Sequence, residues 1–330
     1  MRTIDAHGHI IVEEITASHG NEPWRTRIER TPEGTFSSLT NGKRNGPHVY
    51  ECTDIQGILR DLDKLRIDTL MISPPPYLFY YQLDPEETAK AARIQNDGMA
   101  RVKERHPDRF APLATVPLND VDAAITELRR ATRELGLSGV EIGTSVQGVH
   151  LGDQRFRPFW RAVADDDIFV FIHPDYFQTS SSPSLGDYYL VNLVGNPTET
   201  GLAAAHMVFS GLFQDFPDLK ILLAHAGGVT PWIMGRWEHG YGKRVETKRN
   251  LKHSPIEDVK KFYFDTIAHS PAALTFLIEQ MGADHVILGS DYYFDMGPDD
   301  PVGDVEHLEG VSEADKAKIL NGNITRLARL

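Results

Sequence analysis

Two histidines near the amino terminus have the spacing of metal ligands. His7 and His9 stand at i and i+2 in the run Thr3-Ile4-Asp5-Ala6-His7-Gly8-His9, which is typical of a short buried strand. Successive side chains of a strand point to opposite faces, so the two imidazoles share one face with Asp5. Paired imidazoles on a rigid edge form half of a metal site. Such a pair also arises by chance, so the rest of the chain has to support this interpretation.

The hydrophobic pattern predicts an α/β fold, a TIM-type (β/α)8 barrel. Eight short apolar runs alternate with segments whose apolar residues recur every three or four positions. This alternation favours parallel strands covered by helices, and eight units fit a barrel in 330 residues. A doubly wound sheet is the alternative, but the first strand lacks a Gly-rich dinucleotide-binding turn. The predicted strands are 3–9, 67–73, 110–116, 139–143, 168–173, 219–225, 262–266 and 286–290.

Two long segments interrupt the alternation, one after the first predicted strand and one after the fifth. Residues 12–52 and 174–197 show neither period and are predicted to be irregular insertions. Loops of this length inside a compact domain are usually functional. No change in composition marks a domain boundary, so residues 1–330 are predicted to form a single barrel domain.

Potential ligands stand at the ends of four predicted strands. The first strand ends in His7 and His9, the fifth in His173, the sixth in His225, and Asp291 follows the eighth. In barrels of this type the active site lies at the carboxyl ends of the strands. These five side chains are therefore expected to converge on one metal centre.

The evidence for a role at the same rim is weaker for three other polar residues. Glu141, inside the fourth strand, is interpreted as a hydrogen-bonding neighbour of the ligands. His269, just past the seventh strand, is a candidate substrate contact, and His206 is interpreted as a packing or surface residue of a helix.

Composition excludes several partners. The net charge of −13 disfavours binding to phosphate backbones, so no nucleic-acid partner is expected. No stretch has the length and apolar composition of a membrane span, and the amino terminus lacks an apolar signal core. Cys52 is the single cysteine, which excludes an intrachain disulfide. We therefore expect a cytoplasmic protein.

Several motifs carry a family resemblance. The opening Asp-Ala-His-Gly-His, Ile172-His173-Pro174, Ala224-His225-Ala226-Gly227-Gly228 and Leu288-Gly289-Ser290-Asp291-Tyr292 resemble the amidohydrolase superfamily. More closely they are similar to its branch of non-oxidative decarboxylases, typified by aminocarboxymuconate-semialdehyde decarboxylase. The resemblance runs nearly end to end, through residues 216–221, Gly235-Arg236 and Asn321-Gly322-Asn323.

The resemblance implies a mononuclear site. His7, His9, His173 and Asp291 would hold one divalent metal, most often zinc with manganese as the alternative, and no organic cofactor is implied. His225 would be the acid/base beside it, sharing proton transfer with Asp291. Neutral imidazoles and a carboxylate suit zinc and leave a position for water or substrate.

The resemblance also implies how a substrate is held. Arg236 would reach a neighbouring subunit's pocket to bind a substrate carboxylate, which implies a homodimer, although a solvated surface arginine is the other interpretation. Guanidinium suits such a bidentate contact. Aromatic residues after the second, fifth and eighth strands favour a pocket for a flat ring or conjugated acid, with Phe294 as a contact. These residues are Tyr77, Phe79, Tyr80, Tyr81, Tyr176, Phe177, Tyr292, Tyr293 and Phe294.

Two departures from the aminocarboxymuconate enzymes fall in the predicted insertions. Where those enzymes have an arginine before Pro-Val-Tyr, this chain reads Gly46-Pro47-His48-Val49-Tyr50. Asn192 stands where they have a tryptophan. The exact substrate of those enzymes is therefore not assigned to this chain.

The leading hypothesis is a metal-dependent, non-oxidative decarboxylase of a small aromatic or muconate-like carboxylic acid. A hydrolase of an amide, lactone or related bond, or a hydratase, would use the same ligands, and fold analogy does not separate them. A non-catalytic metal- or ligand-binding barrel is a further alternative. The presence of His225 beside an intact ligand set argues against it.

Overall fold

The computed structural model describes residues 2–31, 35–40, 42–48, 52–175 and 183–330. Within them the strands are β1 (Ile4–His9), β2 (Arg27–Arg30), β3 (Phe36–Thr40), β4 (Lys43–His48), β5 (Thr69–Ser73), β6 (Phe110–Pro112), β7 (Val140–Gly143), β8 (Ser145–Val146), β9 (Val149–His150), β10 (Phe169–His173), β11 (Lys220–Leu223), β12 (Tyr263–Asp265) and β13 (Val286–Ile287).

The α-helices between them cover the outside of the fold. They are α1 (Ile55–Lys64), α2 (Pro85–Arg105), α3 (Val121–Arg129), α4 (Arg157–Asp165), α5 (Asn196–Phe209), α6 (Leu212–Asp215), α7 (Thr230–Lys243), α8 (Pro255–Val259), α9 (Pro271–Met281), α10 (Pro301–Glu306), α11 (Glu313–Ala317) and α12 (Asn323–Ala328). Side chains cap several of them: Asp54 accepts a hydrogen bond from the amide of Gln56 at the start of α1, and Asp120 caps α3 in the same way.

Eight parallel strands close into a barrel. One set pairs in the order β1-β5-β6 and the other in the order β13-β12-β11-β10-β7. Parallel bridges join the two sets, Ala114 with Val140 on one side and Gly8 with Tyr292 on the other. The amide of Ala6 also donates to the carbonyl of Leu288 at 2.9 Å. The predicted α/β barrel is confirmed, and each of its eight strands overlaps a predicted one.

Alternation along the strands decides which side chains face the barrel interior. Phe169 and Phe171 of β10 belong to a compact apolar cluster with residues of other barrel strands and α12. Val170 and Ile172 instead join the larger apolar cluster, which includes residues of the surrounding helices. His173, next in the period-two sequence after Phe171, is therefore expected on the inner side, at the carboxyl end of the strand.

The segment after β1 is more regular than expected. Residues 12–52 were predicted to be irregular, but β2, β3 and β4 form an antiparallel sheet between the first barrel strand and α1. Its middle strand contacts the barrel end where the Ser38 hydroxyl donates to the Tyr77 hydroxyl at 2.7 Å. The expectation of an irregular loop was therefore wrong for the described part, because the strands satisfy one another's backbone groups. That this segment and residues 174–197 are insertions into the barrel stays a prediction.

Among the described residues, no helix has both the length and the apolar character needed to cross a membrane.

Candidate metal centre

Four histidines and one aspartate meet at the carboxyl end of the barrel. His7 Nε2 lies 3.2 Å from His9 Nε2 and 3.2 Å from Asp291 Oδ1, and His9 Nε2 lies 3.3 Å from the same oxygen. His173 Nε2 approaches that oxygen to 4.0 Å, and His225 Nε2 lies 3.4 Å from Asp291 Oδ2. The convergence expected from the strand ends is present in the structure.

The cluster fits a divalent metal ion. One potential ligand atom from each of His7, His173, His225 and Asp291 lies within 4.8 Å of all the others. His173 Nε2 and Asp291 Oδ1 are buried without hydrogen-bond partners in the described part of the chain, although such groups are normally paired. Imidazole nitrogens with one carboxylate are a suitable ligand set for zinc, and carboxylate also suits manganese.

This group differs by one histidine from the set that the sequence implied. It contains His225 in place of His9, although His9 lies close to both His7 and Asp291. The assignment of four ligands and one acid/base among these five residues therefore stays a prediction.

Electrostatics prepare the cluster for a cation. Burial raises the pKa of Asp291, but His7 and His225 outweigh this effect and hold that pKa well below its usual range. Burial lowers the pKa of His9 to about 4, and burial together with His225 holds the pKa of His173 well below its usual range. Asp291 is therefore ionised while His9 and His173 are neutral at pH 7, the states in which these groups bind metals. Burial lowers the pKa of His7, but Asp291 and Asp265 outweigh this effect and raise it to about 10, so a metal ion would displace a proton from that ring.

Asp265, at the end of β12, holds two residues of the centre in place through hydrogen bonds. It was not identified from the sequence. Its Oδ2 accepts a hydrogen bond from His7 Nδ1 at 2.8 Å and from the His225 amide at 2.8 Å. Its Oδ1 accepts from the amides of Ala226 and Ile267. A carboxylate on the outer ring nitrogen fixes the orientation of a metal-binding imidazole. Its position at a strand end, like that of His173, was the signal that could have revealed it.

Glu141 lies behind His9, but neither of its oxygens has a hydrogen-bond partner among the described residues, so its expected role as a hydrogen-bonding neighbour stays a prediction. It is fully buried, with Oε1 4.0 Å from His9 Nδ1. Burial raises the pKa of Glu141 to about 8. The geometry agrees with a role next to a ligand.

A strained turn presents His225. Both His225 and Ala226 have positive φ angles, 55° and 53°, and Gly227 and Gly228 continue the turn with φ of 74° and 59°. A Cβ on Gly228 would lie 2.2 Å from the carbonyl oxygen of Pro197, so a side chain does not fit there. The consecutive glycines of the Ala-His-Ala-Gly-Gly motif thus allow the close approach that places His225 at the rim.

Two cavities open at this end of the barrel. The smaller, about 330 Å³, is lined by His225 and Asp291 and by His269, as expected for a substrate contact. The larger, about 1190 Å³, lies beneath the antiparallel sheet and is lined by Tyr77, Phe79, Tyr80, Tyr81, His48 and Phe294 among others. Asn192 lines both. Of the five clustered residues, His225 and Asp291 line the smaller cavity and none lines the larger one.

The remaining predicted residues are placed as follows. The Phe294 ring lies 5.3 Å from that of His9 and lines the larger cavity. Arg236 is exposed on α7 and lines neither cavity. His206, on α5, stacks on the ring of His150 at 3.6 Å. Tyr292 and Tyr293 are buried. Val49, Tyr50, Tyr176 and Phe177 lie outside the described residues.

Comparison with known proteins gives consistent results. A family described as amidohydrolase matches residues 4–330. The 2-amino-3-carboxymuconate-6-semialdehyde decarboxylase of Dictyostelium discoideum is 33% identical over 324 residues, covering 97% of this chain and 89% of that protein. A gamma-resorcylate decarboxylase of a Rhizobium species is 30% identical over 300 residues, covering 85% and 89% of the two chains.

Solved structures of similar proteins share the fold over the whole chain. The 5-carboxyvanillate decarboxylase of Sphingomonas paucimobilis superimposes with a TM-score of 0.82 at 26% identity, covering 100% of this chain and 99% of that one. A dihydroxybenzoic acid decarboxylase from Polaromonas, solved with bound manganese and the inhibitor 2-nitroresorcinol, gives 0.82 at 25% identity and covers 100% and 97%.

Proposed function

The chain belongs to the amidohydrolase family, and we propose that it is a metal-dependent, non-oxidative decarboxylase of a small aromatic or muconate-like carboxylic acid. The observation that carries this proposal is the convergence of buried imidazoles on the ionised Asp291 at the mouth of the barrel. Relatives with decarboxylase names, matched over most of their length, support the same reaction.

We assign His7, His9, His173 and Asp291 as ligands of one divalent ion and His225 as the acid/base. Side-chain exposure supports this division, since His225 is 16% exposed whereas the other three histidines are 0 to 3% exposed. An acid/base has to reach the substrate, whereas a ligand does not. Zinc suits the nitrogen-rich ligand set, and manganese is the alternative because a solved relative holds it.

The side chains of this centre account for the chemistry. A divalent ion, when bound, supplies a Lewis acid for the carboxylate of the substrate. His225, whose Nε2 lies 3.4 Å from the ionised Asp291, donates a proton to the carbon that carries the carboxylate. The carbon–carbon bond then breaks, its electron pair returns to the conjugated system, and carbon dioxide leaves. Asp265 keeps the His7 ring and the turn at His225 in place throughout.

Substrate binding involves Phe294 and a second copy of the chain in this proposal. Phe294 offers an aromatic face next to His9. Arg236 lines neither cavity of its own chain, so we assign it to a substrate carboxylate in a neighbouring subunit of a homodimer. Exposed apolar side chains on one face support this arrangement, and we call it the α5–α7 face: Leu193, Val194, Leu202 and Trp232.

The reaction is tested by product analysis. Metal-loaded protein is incubated with hydroxylated benzoic acids and with muconate-type acids, and the carbon dioxide and product masses are measured. We expect release of carbon dioxide and a product lacking the carboxylate. In His225→Ala the release should fall at least about 100-fold while the metal stays bound. Products that have gained water instead would contradict decarboxylation and favour a hydrolase or hydratase.

A further inference from the structure

His48 is a buried base without a partner at the larger cavity. It is 4% exposed, and neither ring nitrogen makes a hydrogen bond in the described part of the chain. An unsatisfied buried polar group destabilises the folded state. The ring stands edge-on to Tyr293 and Phe294, with centroids at 5.0 and 5.4 Å. These contacts hold it at the cavity wall, where packing alone does not require an imidazole.

Tyr80 presents a second such group to the same cavity. It is 1% exposed, its hydroxyl is buried without a hydrogen-bond partner among the described residues, and it lines the larger cavity together with His48. Its backbone has a φ of 59°, a conformation that a bulky residue rarely adopts. Two aromatic residues with unused polar atoms on one cavity indicate a site for a polar ligand group.

One ring, that of Phe294, lies between the larger cavity and the metal centre. Phe294 contacts His48 on one side and His9 on the other, at 5.4 and 5.3 Å. His48 is thus two ring contacts away from a proposed ligand. A molecule with a carboxylate at the metal would bring the far side of its ring to His48 if that ring lay along Phe294.

The charges around this cavity disfavour a second carboxylate there. Burial lowers the pKa of His48 in spite of Asp295, so its imidazole is neutral. Asp175 and Asp295 line the cavity as well. Of the lining cations, Arg44 is paired with Glu29 and, like Lys43, is exposed at the outer end. A neutral hydrogen-bonding group matches this environment better than an anion does.

We propose that His48, supported by Tyr80, recognises an uncharged polar ring substituent of the substrate, such as a hydroxyl, on the side remote from the carboxylate that reacts. This inference rests on the proposed decarboxylase function and narrows it to hydroxylated aromatic acids over dicarboxylic ones. The ring nitrogens of His48, which have no hydrogen-bond partner among the described residues, are the atoms that would bind this substituent.

Ligand affinity tests this assignment without depending on turnover. Metal-loaded protein is titrated calorimetrically with 2-hydroxybenzoate, with its 3-, 4- and 5-hydroxy derivatives, and with the corresponding carboxy derivatives. We expect at least one hydroxy derivative to bind about tenfold more tightly than 2-hydroxybenzoate, the gain of one buried hydrogen bond. The carboxy derivatives should bind no more tightly than 2-hydroxybenzoate.

Three variants locate the contact. His48→Phe keeps the aromatic packing, and in this variant the hydroxy derivative should bind within about twofold of 2-hydroxybenzoate. His48→Gln retains hydrogen-bonding atoms and should restore part of the lost affinity. In Tyr80→Phe the added hydroxyl group should increase the affinity by an intermediate factor. Melting temperature and metal content identify any variant that has failed to fold. The variants that do fold then show whether His48 contacts the hydroxyl group.

The assignment is overturned if the added hydroxyl still tightens binding by the full wild-type factor in a folded His48→Phe protein. It is also overturned if no hydroxy derivative binds the wild type more tightly than 2-hydroxybenzoate, or if a carboxy derivative binds most tightly. If these acids bind as expected but release no carbon dioxide, the proposed reaction fails while the recognition by His48 stands.

Discussion

Asp265 shows how one side chain can govern the whole centre. Its two oxygens accept hydrogen bonds from the His7 ring and from the amides of His225, Ala226 and Ile267. Burial alone would raise the pKa of Asp265, but the hydrogen bond and charge of His7 lower it, so the carboxylate stays ionised. It therefore couples the orientation of a proposed ligand to the position of the proposed acid/base.

Asp265→Asn should weaken metal binding about 10- to 100-fold, because the amide cannot accept all of these bonds. Affinity is measured by competition with a chelator. Asp258→Asn is the matched control, since Asp258 is equally buried but pairs with His253 and Lys261. Equal losses of metal affinity in the two variants would contradict a specific role for Asp265.

At the residue scale, the sequence was sufficient for the five side chains of the cluster but not for those that support them. His7, His173 and Asp291 could be located because they follow apolar runs, and strand ends of a barrel share one rim. Asp265 also ends a strand, but its partners are the His7 ring and backbone amides of two loops, which no spacing reveals. His48 follows no apolar run, and its cavity depends on the antiparallel sheet.

The turn after β11 is the element on which the rim depends most. Four consecutive residues from His225 to Gly228 have positive φ, and Gly228 approaches the Pro197 carbonyl closely. Such a conformation persists only where the surrounding contacts hold it.

Gly228→Ala should lower the free energy of unfolding by about 2 kcal/mol or more, because the new Cβ meets backbone at a positive φ. Gly240→Ala is the control: Gly240 lies inside α7, and a Cβ added there would have no atom of the described residues within 4 Å, so that variant should gain about 0.5–1 kcal/mol. Chemical denaturation measures both. A Gly228→Ala protein as stable as the wild type would contradict the described turn.

Most barrel strands were predictable from the sequence because they are short, largely apolar runs between helical segments. The antiparallel sheet was missed because β2 and β4 are short and largely polar, with Arg27–Arg30 partly exposed and Lys43–His48 rich in basic and small residues. A usable signal was present in Asn41-Gly42, the dipeptide typical of a two-residue hairpin, between β3 and β4.

On the scale of the whole molecule, an acidic protein carries an apolar surface on its α5–α7 face. Trp232 is 58% exposed and stacks on Phe276 at 4.6 Å, and Leu193 beside the smaller cavity is 51% exposed. Exposed apolar groups gathered on one face favour association between protein surfaces. This face also carries Arg236, one helical turn after Trp232 on α7.

Trp232→Glu should shift the protein from a dimer, twice the chain mass of 37.0 kDa, towards a monomer, because a charge would be buried in the proposed interface. Sedimentation equilibrium measures the mass. Val245→Glu changes a similarly exposed apolar residue outside the α5–α7 face and should leave the dimer intact. A wild-type monomer, or a Trp232→Glu dimer of unchanged affinity, would contradict this role of the face.

The central claim is that one divalent ion is held by the cluster around Asp291, and elemental analysis of untagged protein tests it most directly. After reconstitution with zinc or manganese and removal of free metal, the wild type should contain about one ion per chain, and Asp291→Ala should contain almost none. Asp258→Ala controls for the loss of a buried carboxylate elsewhere. A wild type that takes up no metal, or an Asp291→Ala variant that retains a full equivalent, would contradict the account.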